Sequence, residues 1–71
     1  MSYVIHGHKV VVDKGAESGY RHLTRELSEP ESLVFFHEAK MRGHAEFEDR
    51  YNHNFTLTHN RAEATYTISR R

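Results

Sequence analysis

The sequence predicts a small α+β domain: an antiparallel sheet, made of an N-terminal hairpin and a C-terminal three-stranded meander, packed on one capped helix at about 29–42. Three observations predict it. Start and stop signals frame that helix, apolar residues recur with a period of two after Gly43, and two short apolar runs precede residue 14. At 71 residues the chain fits one domain, 1–71.

The helix is predicted by its ends. Ser28 stands at the N-cap position with Glu31 three residues later, which is the capping-box pattern. Pro30 falls in the first turn, where no intrahelical N–H is needed. Gly43 suits the left-handed position that ends a helix, and basic side chains precede it at the negative end of the helix dipole.

The helix carries more apolar residues than one buried face needs. On a 3.6-residue period, Leu33, Phe36 and Ala39 share the face expected to pack on the sheet. Three further apolar residues lie off that stripe, which indicates either deeper burial or a second contact surface. We predict these three as partner-binding residues: Val34, Phe35 and Met41.

After Gly43 the alternation predicts three half-buried strands, whose inward residues are Ala45 and Phe47, then Phe55 and Leu57, then Ala64, Tyr66 and Ile68. Turn-forming segments at 50–53 and 60–63 separate them, and such short connections favour antiparallel neighbours. The helix is expected to cover the face that carries Ala45, Phe47, Phe55, Leu57, Tyr66 and Ile68.

The first 27 residues are open to more than one interpretation. Segments 3–5 and 9–13 are predicted as two strands with a hairpin turn at 6–8, and the alternative is one strand bent at Gly7. Segment 14–19 is a loop by composition. Tyr20–Leu27 fits a helix or a strand, and the strand is favoured because it would lead directly into the N-cap at Ser28.

Composition excludes several classes of protein. Ten basic and ten acidic side chains cancel and are interspersed along the chain, so the clustered cations of a typical nucleic-acid-binding protein are absent. There are no cysteines, which excludes disulfides and thiolate-bound metals. We find neither a signal-peptide pattern nor an apolar run long enough to cross a bilayer, and we expect a cytoplasmic protein.

Seven histidines are the compositional oddity, and each would gain a proton near pH 6.5. We therefore expect stability or association to change between about pH 7 and 5.5. His6 and His8 are weak candidates for metal ligands, but an exposed hairpin turn explains them more simply. His37, taken as half-buried in the helix, cannot bond the neighbouring Glu38 because their side chains point about 100° apart.

The fragments His53-Asn54 and His59-Asn60-Arg61 suggest a His-Asn-His nuclease, but the helix that such a site needs is not predicted after them. We find no catalytic constellation, and we expect no enzymatic activity, no bound metal and no cofactor.

Marginal size favours a partner, because a core this small supplies only about 3–5 kcal/mol of net stability. We predict a non-enzymatic protein–protein interaction or regulatory module, as a homodimer or with another protein. Strand pairing through 2–5 or 64–70 is a second route to a dimer. The alternatives are a nucleic-acid-binding accessory protein, using Arg21, Arg25, Lys40, Arg42, Arg50 and Arg61, and less plausibly a histidine-based metal-binding protein.

Overall fold

The computed structural model describes residues 2–71 and confirms the α+β class. Five strands form one sheet in the order β1-β2-β5-β4-β3, with the helices on one face. The elements in chain order are β1 (Ser2–Ile5), β2 (His8–Val12), α1 (Glu17–Arg21), a π-helical segment (His22–Glu26), α2 (Glu29–Arg42), β3 (His44–Glu48), β4 (Asn54–Asn60) and β5 (Thr65–Arg70). The predicted N-terminal hairpin and C-terminal strands are therefore present.

The sheet is mixed, and the prediction of an antiparallel sheet is wrong at one pairing. Strand β5 pairs antiparallel with β4 but parallel with β2, where Val10 faces Tyr66 and Val12 faces Ile68. Three helical segments and two strands separate β2 from β5, so no local turn signal sets this pairing. Since β5 has partners on both sides, its backbone is not available to pair with a second copy, whereas β1 is an edge strand.

Residues 17–26, between β2 and α2, are helical. The strand favoured for Tyr20–Leu27 is therefore wrong. The loop predicted at 14–19 is also wrong for the residues from Glu17 onward. The helical conformation is favoured because it buries Leu23 completely in the core. Gly19 is also buried, and a Cβ there would lie 2.9 Å from the ring of Phe55. The absence of a side chain thus lets α1 pack closely on β4.

The capping prediction for α2 is confirmed at both ends. The Glu31 N–H donates to Ser28 Oγ at 3.4 Å, and the Ser28 N–H donates to the Glu31 carboxylate at 2.9 Å. Gly43 has φ 94°, and its N–H donates to the Ala39 carbonyl at 2.7 Å. With 14 residues, α2 is the longest helix, and none of the helices between residues 2 and 71 has the length and apolarity to cross a bilayer.

The turn between β1 and β2 is a two-residue hairpin, which settles the choice against one bent strand. His6 and Gly7 both have positive φ, 50° and 81°, as the turn that matches strand twist requires.

The core lies between the helices and the inward face of the sheet. Six of the seven apolar residues predicted to point inward from the last three strands are buried: Ala45, Phe47, Phe55, Leu57, Tyr66 and Ile68. The exception is Ala64, which is exposed in the β4–β5 turn with φ 54°.

Candidate functional site: the groove beside α2

A concave site lies between the C-terminal half of α2 and the end of the sheet where β2 begins and β4 finishes. Its cavity measures about 490 Å³ and is lined by His8, Lys40, Met41, His59, Arg61, Ala64 and Tyr66. A second cavity of about 310 Å³ shares His8, Lys40 and Tyr66 and extends along α2 past Leu33, Phe36 and His37. We call these two cavities together the α2 groove.

Strand alternation brings the two histidines into the groove. His8 shares the inward side of β2 with Val10 and Val12, and His59 shares the inward side of β4 with Leu57. Both sit where the apolar alternation reaches the end of its strand. The sheet therefore presents imidazoles, in place of aliphatic side chains, at the edge of its core.

Packed rings form the floor of the groove. Tyr66 lies between the two histidines, with its ring centroid 5.2 Å from that of His8 and 4.7 Å from that of His59. Phe36 of α2 meets Tyr66 edge-on at 4.9 Å. Phe36 and Tyr66 are 2% and 4% exposed, so the floor is continuous with the core.

The groove is electropositive. His8, Lys40, His59 and Arg61 contribute basic groups, and none of the described residues that line either cavity is acidic. Burial lowers the pKa of His8 below its ordinary value, and the positive charges of His6, Lys40 and His59 lower it further. Nδ1 of His59 is buried without a hydrogen-bond partner. Among residues 2–71 neither Lys40 nor Arg61 forms an ion pair with a carboxylate, so both cations are available to an anion in this groove.

The three residues predicted to bind a partner do not form one surface. Val34 and Met41 are 64% and 67% exposed, seven residues apart on α2 and therefore on one side of it. Met41 also lines the groove. Phe35 instead packs against the core, with its ring centroid 5.6 Å from that of Phe47.

The weak metal candidates His6 and His8 both lie near Phe36, with ring centroids 6.3 and 4.9 Å from its ring. His6 Nδ1 is 3.8 Å from a carboxylate oxygen of Glu29, whereas the His8 ring stacks on Phe36. Both are partly buried, so the expectation of two exposed turn histidines is wrong. Within residues 2–71 no three His, Cys, Asp or Glu side chains converge as a metal ion would require. His37 is exposed rather than half-buried.

A serine, an aspartate and a histidine meet on the other side of the domain, but not as a nucleophilic triad. Ser18 Oγ and His53 Nδ1 both donate to the carboxylate of Asp49, and the N–H groups of Tyr51 and His53 donate to it at 2.9 Å. A triad needs the histidine between the other two. Burial raises the pKa of Asp49, but these hydrogen bonds outweigh it and hold the pKa well below its usual value. The cluster ties the β3–β4 loop to α1.

Glu26 makes a second connection to the β3–β4 loop, this time from the π-helical segment. Its carboxylate accepts a hydrogen bond from His22 Nδ1 at 2.7 Å and lies 3.5 Å from Nε of Arg50. The π-helical segment and the β3–β4 loop are thereby held together through polar contacts.

The basic residues proposed for nucleic-acid contact are dispersed. Lys40 and Arg61 share the groove, whereas Arg21 and Arg25 line a different cavity beside Tyr3 and Tyr20. Arg42 and Arg50 approach Glu38 and Glu26 respectively.

Sequence reasoning did not identify His59, Arg61 and Tyr66 as members of one site. The available signal was the inward position of His8 and His59 in strands that are otherwise apolar on that side. A buried polar group costs stability unless it is paired, so its presence there indicates a role other than packing.

The chain matches no protein-family model, no curated protein and no solved structure.

Proposed function

We propose that this protein is a non-enzymatic binding module whose α2 groove receives an acidic segment of a partner protein. The observation that carries the proposal is charge: four basic side chains surround an aromatic floor, and no described residue lining the groove is acidic. Complementary charge steers a partner toward such a surface and fixes its orientation there.

Apolar contact at the rim supplies a second element of recognition. Met41 borders the groove while 67% exposed, and Val34 extends the same side of α2. Methionine adapts its shape to a partner more readily than branched side chains do. An acidic segment that also carries apolar residues fits this surface better than a purely acidic one.

A protein segment suits the groove better than a nucleic-acid backbone. Recognition of a phosphodiester backbone uses a long row of cations. Among residues 2–71, the exposed lysine and arginine side chains that line the groove are only Lys40 and Arg61. The outward face of the sheet offers Glu46, Glu48 and several threonines, without the aromatic platform that single-stranded RNA needs.

Charge reversal in the groove tests the proposal. A fluorescently labelled peptide of alternating glutamate and leucine is titrated with the native chain and with the double variant Lys40→Glu, Arg61→Glu. Both side chains are exposed, so the fold should persist. We expect affinity to fall by at least about tenfold, and native binding to weaken as salt is raised.

The matched control is the double variant Arg21→Glu, Arg25→Glu, which makes the same change in charge at a separate cavity. It should bind the peptide nearly as well as the native chain. Equal losses in both double variants would mean that net charge, not the groove, governs binding, and the proposal would fail. Competition by single-stranded RNA at equal salt would favour the nucleic-acid alternative instead.

A further inference from the structure

We infer that the anionic group held by the α2 groove is a phosphate monoester, carried on a side chain of the partner segment. This inference rests on the proposed function and goes further, because it names the chemical group that the groove recognises.

The number of donors favours phosphate over carboxylate. Lys40 offers an ammonium group, Arg61 a guanidinium with five N–H donors, and His8 and His59 two imidazoles. A carboxylate has two oxygens and one charge. A phosphate monoester has three terminal oxygens and nearly two charges at neutral pH, and it forms bidentate hydrogen bonds with guanidinium.

The size of the groove favours an ester over free phosphate. About 490 Å³ exceeds what a single tetrahedral anion fills, and the remaining wall is formed by Met41, Ala64 and the ring of Tyr66. These apolar surfaces suit the carbon atoms that carry the phosphate. Polar anchoring at one end with apolar contact at the other is the usual division of roles in a ligand site.

Protonation of His8 would add a positive charge to the groove when an anion binds. His8 shares the two cavities with His37, Lys40, His59, Arg61 and Tyr66, and the charge of His6 also acts on it. The carboxylates at the margins are Glu29, 3.8 Å from His6, and Glu63, which accepts a hydrogen bond from Asn60 in the β4–β5 turn. These surroundings disfavour a charged imidazole in the empty groove. A bound dianion would reverse that balance, so His8 would take up a proton and add a charge-assisted hydrogen bond. Binding should therefore be coupled to proton uptake.

The first experiment uses phenyl phosphate and benzoate as probes, with the imidazole proton resonances of His8 and His59 as the readout. We expect phenyl phosphate to bind at least about tenfold more tightly than benzoate. Its binding should be lost in Lys40→Glu, Arg61→Glu and retained in Arg21→Glu, Arg25→Glu. Equal affinity for the two probes, or phosphate binding that survives loss of the groove cations, overturns the inference.

The coupling to protons gives a second readout, because His8→Gln removes the contribution of His8 to the pH dependence while the other histidines stay in place. Phenyl phosphate should bind more tightly at about pH 6.5 than at about pH 8. The phosphate is mostly a dianion at both pH values, so its own ionisation does not produce this difference. In His8→Gln this pH dependence should shrink while binding persists. An unchanged pH dependence in His8→Gln overturns the assignment of His8.

The second experiment identifies the source of the phosphate. The glutamate–leucine peptide is compared with versions that carry a central serine or a central phosphoserine. Tighter binding of the phosphoserine peptide supports the inference. If phenyl phosphate binds but phosphoserine adds nothing, the partner-borne source is overturned and a small phosphate ester takes its place. If the acidic peptides bind through the groove without any phosphate preference, the inference fails while the proposed function stands.

Discussion

The imidazole of His8 is stacked on the ring of Phe36, with 4.9 Å between ring centroids and 17° between ring planes. This contact places a titratable group against one of the most deeply buried residues of α2, so the neutral imidazole is the form that packs well. Burial and the neighbouring cations of His6, Lys40 and His59 lower the pKa of His8 accordingly.

Stability should therefore decrease as pH falls from about 7.5 to about 5.5. In the unfolded chain His8 titrates at its ordinary pKa of 6.5, and in the fold it titrates lower. Between these two values the unfolded state binds the extra proton. The stability due to neutral His8 is present above pH 6.5 and is lost as pH falls through the folded pKa. Urea unfolding at the two pH values measures the effect, and His8→Gln should show a shallower pH dependence; equal slopes would contradict the assignment to His8.

Phe35 and Val34 should respond oppositely to truncation although they are neighbours. Phe35→Ala removes a ring packed on Phe47 and should cost about 2 kcal/mol of unfolding free energy, less than a fully buried phenylalanine because Phe35 is only partly buried. Val34 is 64% exposed, so Val34→Ala should change stability by less than about 0.5 kcal/mol. Urea titrations measure both. Equal losses would contradict the packing of Phe35 on Phe47.

Ser32→Ala should stabilise the domain. Ser32 is completely buried in α2, and its hydroxyl has no hydrogen-bond partner. Alanine removes that uncompensated polar group and is the better helix former, so we expect a gain of about 1 kcal/mol. The matched control is Ser28→Ala, which removes the N-cap and should cost about 1 kcal/mol. Melting temperatures of the two variants should move in opposite directions, and a loss of stability in Ser32→Ala would show that its hydroxyl is paired.

Local signals made α2 and the last three strands predictable from sequence. A capping box at Ser28 and a left-handed glycine at Gly43 depend only on residues near each end of the helix, and the alternation after Gly43 depends only on neighbours along the strand. Predicting the inward face was possible for the same reason, and it fails only at Ala64, where the β4–β5 turn has not yet ended.

Non-local packing decided the features that were missed. The local pattern of Tyr20–Leu27 does not show that Leu23 is fully buried when this segment is helical. Nor does it show that Gly19 lies against the ring of Phe55. The groove is a similar case. Its members come from β2, α2, β4, the β4–β5 turn and β5, so a correct site required the parallel pairing of β2 with β5 to be known first.

The central position of β5 bears on how the chain acquires its structure. Before Thr65–Arg70 has left the ribosome, the β1–β2 hairpin and the β3–β4 hairpin have no strand between them, and the row of inward side chains across the sheet is broken. The sheet is completed by contacts between residues more than fifty positions apart, which slows folding relative to a helical protein of the same size. Nascent chains that end before Thr65 should consequently remain sensitive to protease and dependent on chaperones.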